Sequence, residues 1–279
     1  MKIKISADST IDLSQELIKK YDISIMPLNI TLGDDTKLDG VEVSTDELFD
    51  YVDKTGELPK TASPSIVNYQ EFYDSLLKDC DCVLHFVVSS QMSSCYNNAM
   101  KASEEYGDRV YVIDSRSLST GIALLALYAC DKAKEGVAPN VIADECRNLA
   151  RKVQASFVLG DLNYMHKGGR CSGATCLSAK FLRIKPEIIV QNGEMKVGKK
   201  FMGKLEKVVE NYVSETMEKH QQYDNKRVFI THTPIANEIV ENVKEQLKGK
   251  FEEIYETQAG ATISSHCGLE TIGILFLDK

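Results

Sequence analysis

The run Val83-Leu-His-Phe-Val-Val88 constrains the fold more than any other stretch of this chain. It is apolar almost throughout, whereas a strand with one wet face alternates apolar and polar residues. A run of this kind suits an interior strand of a parallel sheet, covered on both faces. Parallel strands need crossover connections, which are usually helices. The flanking sequence supplies them. Residues 2–6 are strand-like, and Asp12-Leu-Ser-Gln15 then reads as a capping box opening a helix, the Asp and Gln side chains each satisfying a free backbone N–H. After Val88 a helical pattern runs through Tyr106, followed by a strand at 109–113 and a helix at 119–135. This rhythm predicts a parallel sheet with helices on both faces.

The second half reads differently. A strand at 156–160 leads it. Ile188-Ile-Val190, the turn residues Asn192-Gly193 and the segment from Met195 to Val197 form a hairpin pattern. Helices at 205–220 and 235–248 flank a strand at 227–231, and strands at 253–257 and 271–277 complete the pattern. A hairpin beside crossover units predicts a mixed sheet. The expected organisation is an N-terminal parallel-sheet α/β domain, residues 1–153, and a C-terminal mixed-sheet α/β domain, residues 154–279. That division suits a chain of 279 residues. No internal repeat or low-complexity tract interrupts it.

Charge and composition remove several function classes. The net charge is −8, with Lys and Arg scattered and no basic run beyond Lys199-Lys200. Such a surface offers no general attraction to nucleic acid or to anionic lipid headgroups, and with no helix-turn-helix signature a transcription regulator is not expected. Met1-Lys2-Ile3-Lys4-Ile5 alternates like a strand and lacks the apolar core of a signal peptide. The longest strongly apolar stretch, Ile122 to Cys130, is too short to span a bilayer and reads as a buried helix. The expectation is a cytoplasmic protein that is not integral to a membrane. Eight cysteines then read as free thiols. Cys80-Asp-Cys82 has one intervening residue instead of the two to four of zinc ribbons, and no second pair follows, so no metal is expected.

The chain has no phosphate-binding Gly-x-x-x-x-Gly-Lys-Ser/Thr loop, no Gly-x-Gly-x-x-Gly fingerprint and no Gly-x-Ser-x-Gly nucleophile elbow. It has instead four hydroxyl-rich loops: Asp8-Ser9-Thr10, Thr61-Ala62-Ser63-Pro64-Ser65, Ser89 to Tyr96, and Ile113-Asp114-Ser115. Ligands of open parallel sheets bind beyond the carboxyl ends of the strands, where helix N-termini present free N–H groups and partial positive charge. Neutral hydroxyls there suit a carboxylate. Ser and Thr are also preferred helix caps, so a single loop says little and four together say more.

These loops, with Leu162 to Arg170 (ending Lys167-Gly168-Gly169-Arg170), Lys185-Pro186 and Ser264-Ser265-His266-Cys267-Gly268, follow one another in an order and spacing that resembles the DegV family of bacterial fatty-acid-binding proteins along nearly the whole chain. The resemblance implies two α/β domains with a long-chain fatty acid enclosed between them. It implies a binding protein, not an enzyme by itself and without a cofactor, that presents the acyl carboxylate to a separate fatty acid kinase. The product would be acyl phosphate, a phospholipid precursor. By position, Thr61, Ser93 and His266 match the family's carboxylate-binding residues. Asp8, Ser9, Ser63, Ser94, Cys95 and Ser115 fall where residues line or support the pocket, and Arg170 is expected to meet the kinase on a short basic loop. The chain departs from the family pattern at Ser93-Ser94-Cys95-Tyr96 for Ser-Gly-Thr-Tyr, at Gly268-Leu269-Glu270-Thr271, and at Lys199-Lys200-Phe201 for Lys-x-Arg.

The alternative from a different class is an acyl hydrolase acting on lipid esters, with Ser93 as nucleophile and His266 as base. It requires an orienting acid, Asp114 or Asp8, and an oxyanion hole.

Overall fold

The computed structural model describes residues 1–160, 164–165, 170–172 and 184–279. Strands β1 (Ile3–Asp8), β2 (Ser24–Met26), β6 (Cys82–Val87) and β7 (Val110–Asp114) form an all-parallel sheet in the order β2-β1-β6-β7. Every residue of β6 is buried, as its apolar run requires. The connection from β1 goes one way to β2 and the later strands add on the other side, so the sheet has a topological switch point between β1 and β6. Crevices at such points are where open α/β sheets bind ligands.

Helices α1 (Gln15–Tyr21), α3 (Ile66–Leu76), α4 (Cys95–Ser103), α5 (Thr120–Lys134) and α6 (Pro139–Leu149) belong to this half. So do α2 (Thr45–Thr55) and a small antiparallel sheet of β3 (Asn29–Leu32), β4 (Asp35–Leu38) and β5 (Lys60–Ala62), which the sequence patterns did not reveal. The expected capping box at Asp12 is not formed. Ser14 caps α1 by accepting the Leu17 N–H at 3.2 Å. Asp12 is instead buried at φ 53°, where its carboxyl oxygens accept the Gly260 N–H (2.8 Å) and the Ser119 hydroxyl (2.5 Å). A residue 248 positions away claimed the side chain that a local pattern assigned to the helix.

The C-terminal half is a seven-stranded mixed sheet of β8 (Val153–Val158), β9 (Cys171–Ser172), β10 (Ile184–Gln191), β11 (Glu194–Met202), β12 (Tyr223–His232), β13 (Glu253–Gln258) and β14 (Ile272–Asp278), in the order β13-β12-β14-β8-β10-β11-β9. Helices α7 (Leu205–Lys219), α8 (Asn237–Leu247) and α9 (Ala261–Cys267) accompany it. The hairpin forms as its sequence predicts. Gln191 pairs with Glu194 across a two-residue turn in which Asn192 (φ 56°) and Gly193 (φ 85°) are both left-handed.

Helix α5 joins the halves. Its residues Gly121 to Leu127 are all buried, and it packs on β1 and β6 of one sheet and on β8, β12 and β14 of the other. A helix apolar all round must be covered all round. Its Ile122, Leu124, Leu125 and Leu127 share one core with Ile5 and Phe86 on one side and Phe229 and Leu275 on the other. Each such side chain contributes about 2 kcal/mol by leaving water. Among the described residues no helix is long and apolar enough to cross a membrane.

Candidate functional site

Docking the two sheets around α5 leaves a cavity of about 640 Å³ beyond the carboxyl ends of β1 and β6. Its apolar wall comes from Leu28, Val88, Met92, Leu118, Met195 and Ile263, and its polar wall from Thr10, Thr61, Ser63, Ser90, Ser93, Ser94, Thr262, His266 and Arg170. Residues from both halves are needed to close it. The hairpin tip reaches across to the first half, where Ser89 Oγ donates to the Gly193 carbonyl at 2.6 Å. A Cβ at Gly193 would lie 2.7 Å from that hydroxyl, so glycine serves both the turn and the approach.

Thr61 sits on β5, which pairs with β3, and His266 on the last turn of α9. Though 205 positions apart, Thr61 Oγ1 and His266 Nε2 lie 2.9 Å from each other. Burial pulls the His266 pKa down to about 4, and the Arg170 guanidinium adds to the effect. The ring is therefore neutral at pH 7. When its Nε2–H donates to Thr61, the threonine hydroxyl hydrogen is left for an acceptor in the cavity. His266 Nδ1 is buried with no hydrogen-bond partner among the described residues.

Ser93 lies between β6 and α4. Its Oγ accepts the Cys95 N–H (3.3 Å) and donates to Cys95 Sγ (3.1 Å), so the serine caps its helix from inside the cavity wall. Burial pushes the Cys95 thiol up, which keeps it protonated. Ser94 Oγ is 2.6 Å from Ser63 Oγ at the cavity edge, joining the second and third hydroxyl loops. Thr61, Ser63, Ser93, Ser94, Arg170 and His266 thus converge on one cavity.

Four of the other candidates do not line it. Asp8 is buried, receives the Tyr69 hydroxyl at 2.8 Å and faces His85 Nε2 at 3.4 Å. Ser9 donates to Asp39 (2.7 Å) and accepts the Leu28 N–H (3.1 Å). Cys95 lies under Ser93. Ser115 closes a turn on itself, donating to the Ser117 carbonyl and accepting the Ser117 N–H, both at 3.1 Å. Each holds a loop in place. Thr10, next to Ser9, is the residue of its loop that reaches the cavity wall. Nothing local to Asp8-Ser9-Thr10 distinguishes which of three polar residues does so.

The departures from the expected family pattern fall in different places. Ser94 is at the cavity edge and Cys95 below it. Phe201 packs in a separate core with Val208 and Tyr212, and Lys199 pairs with Glu215 at 2.6 Å, so neither lines the cavity. Leu269 and Glu270 back onto Gly160. An open groove of about 1090 Å³ between α7 and β8, β10 and β11 carries mixed charges and receives none of the hydroxyl loops. Lys167-Gly168-Gly169 lies outside the described residues.

A hydrolase would need Ser93, His266 and an acid in sequence. Among the described residues no hydrogen bond links Ser93 to His266. Asp114 is committed to Ser90 (2.6 Å to its hydroxyl, 3.2 Å to its N–H) and Asp8 to Tyr69. Nor do the described residues contain a His, Cys, Asp and Glu cluster suited to a metal.

The family model described as uncharacterised protein, DegV family, matches residues 2–279. A DegV domain-containing protein of Clostridium perfringens is 30% identical over 280 residues, covering 100% of this chain and 99% of that one. The fold is similar to a Thermus thermophilus structure described as fatty acid binding of a DegV family protein, with TM-score 0.91, 25% identity and full coverage of both chains. It is also similar to Bacillus subtilis DegV, described as a fatty acid binding protein, with TM-score 0.86, 26% identity and full coverage of both chains. This chain belongs to the DegV family.

Proposed function

We propose that this protein binds a long-chain fatty acid in the cavity, without catalysis of its own, and presents the carboxylate to a separate fatty acid kinase for acyl phosphate formation. The observation that carries the reading is the convergence of Thr61, Ser93 and His266, from three distant segments, on one cavity that also has an apolar wall of Leu28, Val88, Met92, Leu118, Met195 and Ile263. The energetics favour such a site. Burying about a dozen methylenes gains roughly 10 kcal/mol gross. Desolvating the carboxylate costs several kcal/mol unless donors receive it. Here the Thr61 hydroxyl hydrogen is left for the ligand when neutral His266 donates to Thr61, the Ser93 hydroxyl can turn from Cys95 Sγ to the ligand, the N-terminus of α4 adds partial positive charge, and Arg170 supplies a full one. The fatty-acid-binding descriptions of the Thermus and Bacillus structures support the ligand class.

Arg170 is exposed and also borders the cavity, so it is placed to meet both the ligand and an incoming partner. Its planar fork suits a carboxylate or a developing phosphate. Mass spectrometry of lipid extracted from the purified protein tests the ligand: stoichiometric long-chain fatty acid is expected. No bound acid and no uptake of added acid would overturn the reading. In a coupled assay with a fatty acid kinase, Arg170→Ala should slow acyl phosphate formation more than it weakens binding. Normal turnover by that variant would remove Arg170 from the transfer step.

A further inference from the structure

Asn98 belongs to none of the hydroxyl loops, yet it holds two of them. It stands in α4, where its backbone N–H donates to the Ser94 carbonyl at 3.0 Å. Its side-chain Nδ2 reaches to the loop before α3, donating to the Pro64 carbonyl (2.8 Å) and to Ser63 Oγ (3.2 Å). A carbonyl oxygen only accepts, so the atom beside Pro64 must be the NH₂ group and the amide orientation is settled by chemistry. Both amide hydrogens are thereby committed.

The chain continues to Ser94. Ser63 Oγ lies 2.6 Å from Ser94 Oγ and either hydroxyl can donate to the other, so one of the two hydrogens is left over for the cavity that both serines line. Ser94 is exposed and lines the cavity one residue from Ser93.

We propose that Asn98 is a positioning residue for carboxylate recognition, orienting Ser63 and Ser94 in series so that the Ser94 hydroxyl gives the bound carboxylate an additional hydrogen bond. The inference rests on the fatty acid reading above. Donors in a chain polarise one another, so the terminal hydroxyl is a stronger donor than a lone serine. A donor oriented before the ligand arrives also loses less freedom on binding. The same amide spans the gap between the segments carrying Thr61 and Ser93, which sets how far apart those two hydroxyls stand.

The competing account is that Asn98 only fastens α3 to α4. Two variants, Asn98→Leu (similar shape, no donor, no charge) and Ser94→Ala, separate the accounts when affinity is measured for hexadecanoic acid and for hexadecan-1-ol. Both variants should bind the acid about tenfold more weakly, the loss of one charge-assisted hydrogen bond, while alcohol affinity stays within about twofold because its head group carries no charge to assist the bond. Equal losses for acid and alcohol would assign Asn98 to packing. Full acid affinity in Ser94→Ala would remove Ser94 from the site, and this variant carries the test if Asn98→Leu fails to fold. Wild-type protein that binds neither ligand would overturn the fatty acid reading itself, an outcome distinct from variants that bind the acid normally.

Discussion

The loops that follow β6 and β7 are neighbours at the carboxyl ends of adjacent parallel strands, and both are rich in hydroxyls, but they do opposite things. The loop after β6 turns Ser90, Ser93 and Ser94 to the cavity. The loop after β7 spends its hydroxyls inward: Ser115 on the Ser117 backbone and Ser119 on Asp12, leaving only the apolar Leu118 for the cavity. The first loop is held from outside itself, by Asp114 on Ser90, by the Ser117 carbonyl on the Ser89 N–H (2.9 Å) and by Gly193 on the Ser89 hydroxyl. The second loop is its scaffold. A hydroxyl at a strand end is a backbone partner by default. It becomes free to bind a ligand when other groups have already satisfied the loop around it.

That contrast yields graded predictions. The largest effect is expected at Asp114, where the two loops meet. Its carboxylate takes the Ser90 N–H, the Ser90 hydroxyl and the Arg116 N–H (2.9 Å). Asp114→Ala should cost about 3 kcal/mol of stability by denaturant unfolding and also weaken fatty acid binding; an unchanged midpoint would mean the loops are not coupled. Next, Ser93→Ala or His266→Ala should weaken fatty acid binding by on the order of 1–3 kcal/mol, read by calorimetry. Unchanged affinity in both would return them to caps and packing. Ser115→Ala should show the reverse profile, about 1 kcal/mol off stability with fatty acid affinity unchanged. A loss of affinity alone would erase the distinction between the two loops.

A separate, pH-dependent effect concerns Ser119 and its partner. Burial, opposed by the Ser119 and Gly260 hydrogen bonds, raises the Asp12 pKa from 3.8 to about 8. The folded chain therefore holds this proton more tightly than the unfolded chain, and stability falls as pH rises from 3.8 through about 8. Asp12→Asn, which stays neutral, should lose that decline, so that its melting temperature relative to wild type is higher at alkaline pH than at mildly acidic pH. A wild-type difference that does not change with pH would show that Asp12 is already ionised in the fold.

The sequence by itself determined most strands of the two large sheets and several of their helices, in order. Strand β6, the Asn192-Gly193 hairpin and buried α5 follow from periodicity and turn chemistry, which depend on residues a few positions apart. Thr61, Ser93 and His266 were legible through the likeness of whole motifs to a family, since nothing in one hydroxyl loop distinguishes a ligand donor from a cap. The three strands of the small sheet escaped notice because β4, Asp35-Thr-Lys-Leu38, is short and half exposed, with no apolar face to read. Only the tertiary structure decided that Asp12 would tie the halves together, that Thr10 and not Ser9 would reach the cavity, and that Asn98 would bridge two loops. Those outcomes depend on how two sheets dock around α5. Docking brings together groups as far apart as Thr61 and His266, and each buried polar atom then takes whichever partner burial leaves within reach.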